Sequence, residues 1–459
     1  MKEIRVLSPT GVIGSGFLEA SFERGIARNP HYIACDAGTT DAGPAFLGAG
    51  IPHFSRQGTK RDLRIMLLGR AKLGIPLILG SCGTGGGDAG VDWMRDIALE
   101  IAAEEGLRFK LALVRSELDK DYVKRRLREG RVSPLRPAPE FDEDVVDRSA
   151  HIVGMMGHEP IAKALADGAD VILAGRASDT SLFAAYPMAR DPTNPGICWH
   201  MAKILECGAA CVVQRKRPDS VFAWVRDDHF VVEPLDPDSR CTPQSVASHT
   251  LYENADPFLI TEPSGVIVTT DSVYEAETDR AVRVSGSRFT PTQRYSIKLE
   301  GAELVGHQFV IIGGVRDPFI LRQLDSWLDG LRERFKGRVV DLFGGRVGDD
   351  DYTIVTRVYG RDAVMGPLEP LADSIGHEVG VMFEITAADR VTAEALAKTF
   401  SHLALHYPIP EWRGLITGLA YPFTPGELDK GEVYKFNINH VLYPDDPCEM
   451  FRFENLEVG

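Results

Sequence analysis

Several signatures are missing from this chain of 459 residues, and each absence removes a class of function. There is no P-loop, because the glycines of 83–90 are not followed by Lys-Ser/Thr, and neither G-x-S-x-G nor H-E-x-x-H occurs. No apolar run approaches the ~20 residues that a membrane helix needs, so no membrane partner is expected. The N-terminal Met1 to Val6 enters a strand pattern at once and lacks a signal-peptide hydrophobic region. Positive charge is in short supply: 51 Lys and Arg against 66 Asp and Glu leave a net charge of −15. With no long basic run, nucleic acid is not an expected partner either. Cysteine is sparse, with seven scattered residues. An odd, dispersed set does not make a disulfide framework, and a reduced, cytoplasmic protein is expected.

What is present describes a globular chain of more than one domain, 44% apolar and 25% charged. Over the first ~190 residues, short apolar runs alternate with amphipathic helical patterns. Strands are expected at Ile4–Ser8, Tyr32–Cys35, Leu77–Gly80, Lys110–Val114, Ile152–Met155 and Val171–Ala174, with a helix after each. The fold class is therefore α/β: an N-terminal, mostly parallel sheet with helices on both faces, plus a C-terminal α+β domain. The division is placed at 1–210 for a ligand-binding domain and 211–459 for a domain that closes its cleft. In the second part a hairpin is expected around Arg226-Asp227-Asp228. Helices are expected at Pro318–Arg334 and Thr392–His406, and a tail runs from Gly414 to Leu442.

Parallel sheets bind ligands at the C-terminal ends of their strands, and polar residues crowd those ends here. Leu77–Gly80 runs into Ser81-Cys82-Gly83-Thr84-Gly85-Gly86-Gly87-Asp88 and then a helix. Gly83, Thr84, Gly85, Gly86 and Gly87 can offer N–H groups to an anion beside a helix N-terminus, and Asp88 adds a carboxylate. Cys82 on this turn is a candidate nucleophile, although a lone cysteine is more often inert. Asp36 and Asp41 leave the second strand on a turn rich in Gly and Thr. They suit a general base or a hard cation such as Mg2+, and equally suit plain turn chemistry. Arg176 is a natural clamp for a carboxylate or phosphate, whereas Ser178 and Asp179 can be explained by helix capping alone. His249, Tyr252 and Asn254 form a polar stretch that could reach a cleft from the second domain. Gly11 to Gly16 departs from the dinucleotide fingerprint, so no nicotinamide cofactor is expected.

Taken together, the stretches 35–44, 80–90, 175–180, 249–265 and 426–440 resemble the acyclic terpene utilisation AtuA-like family, in order and across nearly the whole chain. The resemblance implies a bacterial catabolic protein handling branched or unsaturated carboxylic acids or their CoA thioesters. Some relatives carry a further C-terminal domain, so a small companion subunit of roughly 100 residues is a candidate partner. A homo-oligomer and a small anionic substrate are also expected. The favoured activity is lyase or hydratase chemistry. Asp36 or Asp41 would act as base or metal ligand, the Gly83–Gly87 amides would face an enolate oxygen, and Arg176 would hold the anion. The alternatives are a hydrolase or transferase using Cys82 covalently, and a non-catalytic subunit of a catabolic complex.

Overall fold

The computed structural model describes residues 3–409 and 417–459. Residues 1–2 of the N-terminal stretch and 414–416 at the start of the expected tail lie outside them. The chain divides into two compact units, Met1–Glu303 with Lys435–Gly459, and Leu304–Tyr434. The division does not fall at 210. Val221–Val225 pairs antiparallel with Ile4–Ser8, which keeps the chain beyond 210 inside the first unit.

That unit is built on a ten-stranded sheet. Its centre is parallel, in the order Ile4–Ser8, Tyr32–Asp36, Leu77–Gly80, Val171–Ala174, Phe109–Arg115. Antiparallel strands extend both sides. Val221–Val225, His229–Pro234, Val282–Ser285 and Val273–Ala276 follow Ile4–Ser8, and Arg452–Val458 covers the far edge against Phe109–Arg115. The expected hairpin at 226–228 joins two of these strands.

Alternation along the parallel strands explains why the sheet is buried on both faces. Tyr32, Ala34, Ile78, Ala112, Val114 and Ile172 point into one core. Ile33, Cys35, Leu77, Leu79, Leu111 and Leu173 point into the other. A strand that is apolar at every position needs such a double cover. Helices His158–Ala166, Asp179–Met188 and Pro195–Leu205 supply the first core, and Glu19–Ile26, Arg56–Leu73 and Asp88–Glu105 the second. Ser55 caps one of these helices by accepting from Gly58 N–H, and Gly74 ends it in the left-handed region at φ 65°.

One expected sheet strand goes elsewhere. Ser149–Met155 pairs antiparallel with Lys298–Glu303, a segment of the long strand Ile297–Val315. Leu259–Glu262, Gly265–Val268 and Arg288–Pro291 form a separate three-stranded sheet. In the second unit, Val379–Ala387 lies between His307–Val315 and Tyr352–Tyr359. Helices Leu324–Phe343 and Arg390–His406 pack over a core containing Trp327, Phe335, Phe383 and Phe400. This part is α+β, as expected.

Candidate functional site

The loops that leave the parallel strands are laced together by their backbones. Ile13 N–H donates to Asp36 O (2.9 Å), Ser81 N–H to Gly175 O (2.8 Å) and Arg176 N–H to Gly86 O (3.1 Å). Ser116 Oγ donates to the same Gly86 carbonyl at 3.0 Å. Turns after four different strands thus share one edge of the sheet, and Asp36, Gly86 and Arg176 lie on it together.

The glycines there mainly permit close packing. A Cβ on Gly83 would stand 2.2 Å from Gly90 Cα, one on Gly86 2.3 Å from Arg176 N, and one on Gly38 2.3 Å from Thr84 Cα. Ser81 and Thr84 take left-handed φ values of 53° and 80° without being glycine. Such conformations cost about 1–3 kcal/mol each. Here they are held by side-chain bonds: Thr84 Oγ1 accepts from His53 N–H (2.8 Å), and Ser81 Oγ accepts from Arg176 Nη1 (3.2 Å). Thr84 N–H donates to Ser81 O (3.2 Å) and Gly85 N–H to Gly83 O (3.1 Å), so neither amide is left for a ligand. Among the described residues, the Gly86 and Gly87 amides have no acceptor.

Arg176 does not wait for a substrate anion. It is buried, and its Nε donates to Glu300 Oε2 at 2.7 Å, with Nη2 3.4 Å from Thr40 Oγ1. Glu300 also accepts from Lys298 Nζ (2.7 Å) and Thr40 Oγ1 (2.9 Å). Burial opposes its charge, but Arg176 and Lys298 outweigh that and hold the carboxyl down at about 2.

Two carboxyls beside this pair behave in the opposite way. Asp36 is 6% exposed, and burial together with neighbouring Asp179 pushes it well above the carboxylate range. Arg176 and the Gly38 and Ala37 amides pull it down, too weakly to win. This direction opposes the expected role of Asp36 as an ionised base or metal ligand. Asp179 is pushed up to about 7, chiefly by burial and by Glu206, against Arg176 and Lys203. Its side chain keeps 38% exposure, while its Oδ1 is buried with no hydrogen-bond partner.

Ser178 precedes that helix but makes no side-chain cap. Its Oγ donates to Glu262 Oε2 at 2.6 Å. Glu262 is itself pushed up to about 7 by burial, with Glu206 adding to the effect. Glu206 accepts from Thr180 Oγ1 and from the buried Lys203 Nζ. His249 is buried, and its Nε2 has no partner. Burial, then Lys203 and Arg215, bring it down to about 4, so it is neutral at pH 7. Tyr252 is half exposed and stacks on His249 with ring centroids 5.8 Å apart.

Other candidates stand apart from this group. Cys82 is fully buried among Leu79, Val91 and Met94, and burial pushes its thiol far up, which opposes a nucleophilic role. Asp41 is exposed on a turn where its N–H donates to Thr39 Oγ1 (3.0 Å). Asn254 spends its amide on the carbonyls of Thr250 (2.9 Å) and Tyr252 (3.0 Å), finishing a helix end instead of facing a ligand. Asp88 pairs with Arg452. Its N–H donates to Glu117 Oε2 (2.8 Å), while Glu117 Oε1 lies 2.6 Å from His151 Nδ1. Among the described residues, no group of three or more His, Cys, Asp or Glu is arranged to hold a metal ion.

Sequence reading missed Lys203, Glu206, Lys298, Glu300 and the Glu117–His151 pair as site residues. Glu262 fell inside the polar stretch 249–265 but was not singled out. Lys203, His151, Lys298 and Glu300 lie on a helix or strand whose burial is decided by distant segments, whereas Glu117 follows a strand and Glu206 ends a helix.

No curated protein and no solved structure matches the chain. The family model described as acyclic terpene utilisation family protein AtuA matches residues 83–212, which run from the glycine turn through Arg176 and Asp179 to Glu206, so over that stretch the chain is similar to this family.

Proposed function

We propose that the chain is a bacterial, cytoplasmic catabolic enzyme that moves a proton next to the carboxylate or thioester of a small acid, with gain or loss of water. The observation that carries this reading is Asp179, a carboxyl at about 7 whose buried Oδ1 has no hydrogen-bond partner and lies 3.9 Å from Arg176 Nη1, with part of its side chain open. A base is most effective when its pKa lies near the working pH. Burial and Asp179 push Asp36 well above the carboxylate range, which favours its protonated form and suits it to return a proton. The Gly83, Gly86 and Gly87 amides, which have no acceptor among the described residues, are donors on the turn for a developing enolate oxygen. Arg176 acts indirectly in this reading: it fixes Glu300 and tempers both aspartates.

The test is proton exchange. Purified protein is incubated in D2O with unsaturated and hydroxy acids and with their CoA esters, with and without Mg2+ and with any co-purifying small chain. Deuterium is expected at the carbon next to the carbonyl, and Asp179→Asn should lower the rate by about 100-fold or more. The reading fails if no substrate exchanges or hydrates, or if Asp179→Asn matches the parent.

A further inference from the structure

Asp179 moves a proton on carbon, and Arg176 and Glu300 are committed to each other, so the water gained or lost needs another group to carry its proton. A histidine on the ladder that carries Glu300 supplies one. Val153 of Ser149–Met155 lies opposite Glu300 on one side and opposite Glu117 on the other, and His151 lies opposite Ala302. Opposed residues of neighbouring strands point to one face, and alternate residues along a strand share it. Glu117, Val153 and Glu300 therefore form one row, and His151 and Ala302 the next, about 7 Å along the strand. Leu47 packs on Val153 and Ala302 together, as a shared face requires.

Glu117 is fixed through both oxygens. Its Oε2 accepts from the N–H of Asp88, the first residue of helix Asp88–Glu105, and its Oε1 lies 2.6 Å from His151 Nδ1. Burial opposes its charge, but the bonds from His151 and from Asp88 N–H outweigh that and hold the carboxyl down. An ionised Glu117 takes the Nδ1 proton, which leaves Nε2 as the ring atom that exchanges. The bond to Glu117 raises His151 above the usual histidine value, against burial. Of the other charges facing the ring, Asp88, itself paired with Arg452, raises it further and Lys120 opposes. Nε2 has no partner among the described residues. It borders the space left by a missing side chain: a Cβ on Gly50 would stand 3.7 Å from Nε2 and 3.5 Å from Ala89 Cβ. The Gly86–Gly87 turn joins this pair to the Asp179 side. A Cβ on Gly86 would stand 2.3 Å from Arg176 N, and one on Gly87 3.2 Å from Glu117 Oε2. Arg176 Nη1 in turn lies 3.9 Å from Asp179 Oδ1.

We propose that His151, oriented by Glu117, is the second proton-transfer group of the site, the one that works on oxygen. This rests on the reading given under Proposed function and narrows its substrate to a 3-hydroxy acid derivative or the 2,3-unsaturated counterpart. In the direction of water loss, Asp179 takes the proton from the carbon next to the carbonyl. The electron pair left behind, held as the enolate facing the glycine amides, forms the C=C bond as the C–O bond at the next carbon breaks. Nε2–H protonates the departing oxygen, which leaves as water. In the reverse direction neutral Nε2 takes a proton from the incoming water, and a proton returns to the carbon. Glu117 is a positioning residue: it holds Nδ1 and steadies the charge of the protonated ring.

Two isotopes read the two steps separately. The full chain is incubated with crotonate, 3-hydroxybutyrate and their CoA esters, in D2O and in water enriched in heavy oxygen. Deuterium entry next to the carbonyl reports on Asp179, and heavy-oxygen entry into the hydroxyl reports on His151. His151→Gln keeps a donor but cannot cycle a proton, so it should lower oxygen exchange by about 100-fold and deuterium entry far less. Asp179→Asn should lower both. Water loss should fall as pH rises through the His151 value, and Glu117→Gln, which removes the carboxylate that raises it, should move that limb to lower pH. A merely structural Glu117 would lower the plateau and leave the limb in place. Unchanged thermal transitions check that the variants fold. The inference is overturned if no probe exchanges oxygen, if His151→Gln exchanges oxygen like the parent or loses both isotopes in equal proportion, or if Glu117→Gln leaves the limb unmoved. If Asp179→Asn keeps deuterium entry while His151→Gln loses oxygen exchange, the Asp179 reading fails and the assignment of His151 stands.

Discussion

Arg176 Nε and Glu300 Oε2 meet at 2.7 Å with both side chains less than a tenth exposed, and the functional edge of the sheet is arranged around that contact. Removing one partner of a buried pair leaves an uncompensated charge, and the cost is typically about 3–5 kcal/mol. Glu300→Gln should fall in that range by urea denaturation at pH 7. Lys298→Met should cost less, about 1 kcal/mol, since the Lys298 side chain is 31% exposed and Arg176 still faces Glu300 without it. Equal effects from the two variants would mean that Arg176 finds other partners.

Glu262 makes stability depend on pH in a direction unusual for a carboxylate. Its folded value of about 7 lies above the ordinary 4.5, so the folded state holds a proton that the unfolded state has released. Stability therefore falls as pH rises from about 4.5 through 7, and the full penalty, about 3 kcal/mol, is reached above that window. Glu262→Gln keeps an oxygen to accept from Ser178 and removes the ionisation. Its stability relative to the parent should rise from pH 5 to pH 9, followed by thermal melts across that range. A flat difference would show that Glu262 ionises normally.

Gly83 distinguishes a packing turn from a ligand cradle. Alanine there combines φ +72° with a Cβ 2.2 Å from the Gly90 backbone, which no side-chain rotation relieves. Gly74 has a similar φ of +65° and open space around it. Gly74→Ala should cost about 1 kcal/mol, and Gly83→Ala more than about 3 kcal/mol or the fold itself. If Gly83→Ala melts like the parent and loses only ligand binding, the turn serves the ligand first.

Cys82 should be silent in the native protein. A thiol that is fully buried, with its pKa raised, presents almost no thiolate. Iodoacetamide should label Cys82 only as fast as the chain unfolds, and no acyl adduct should form on it with CoA esters. Cys82→Ala should cost roughly 1 kcal/mol, for a small loss of buried volume, and leave any proton exchange intact. An acyl-Cys82 species by mass spectrometry would restore the covalent mechanism.

The parallel core was legible because its strands are short apolar runs bounded by Gly and polar turns. Tyr32–Asp36, Leu77–Gly80 and Val171–Ala174 advertise both their type and their double burial. Ser149–Met155 looks the same locally, yet its partner strand begins at Lys298, and apolarity does not name a partner. The antiparallel flank was hidden for the same reason, since Val221–Val225 meets Ile4–Ser8 across more than 200 positions. Asp36, Arg176 and Asp179 could be found because they follow strands. Glu206, Glu262 and Glu300 could not, because a carboxylate on an amphipathic element reads as solvated until tertiary packing buries it. Arg176 reads locally as a clamp for a ligand anion, because the carboxylate it meets, Glu300, lies 124 residues further on.

The last expectation concerns the sign of the electrostatic field at Asp179. If Asp179 is the base, exchange should rise with pH along a limb centred near 7, because the ionised form accepts the proton. Glu206 raises that pKa and Lys203 lowers it. Glu206→Gln removes a nearby negative charge and also frees the Lys203 ammonium from its partner, so both changes favour ionised Asp179. The limb should then move to lower pH. Lys203→Met removes the opposing cation and should move it to higher pH, with Asp179 ionising later. Opposite displacements of one limb by two neighbouring substitutions are not produced by simple loss of stability, which would lower the plateau and leave the midpoint in place. If both variants leave the midpoint unmoved, the titrating group lies elsewhere, and the half-buried Glu117–His151 pair, whose histidine is raised by its carboxylate, becomes the group to examine.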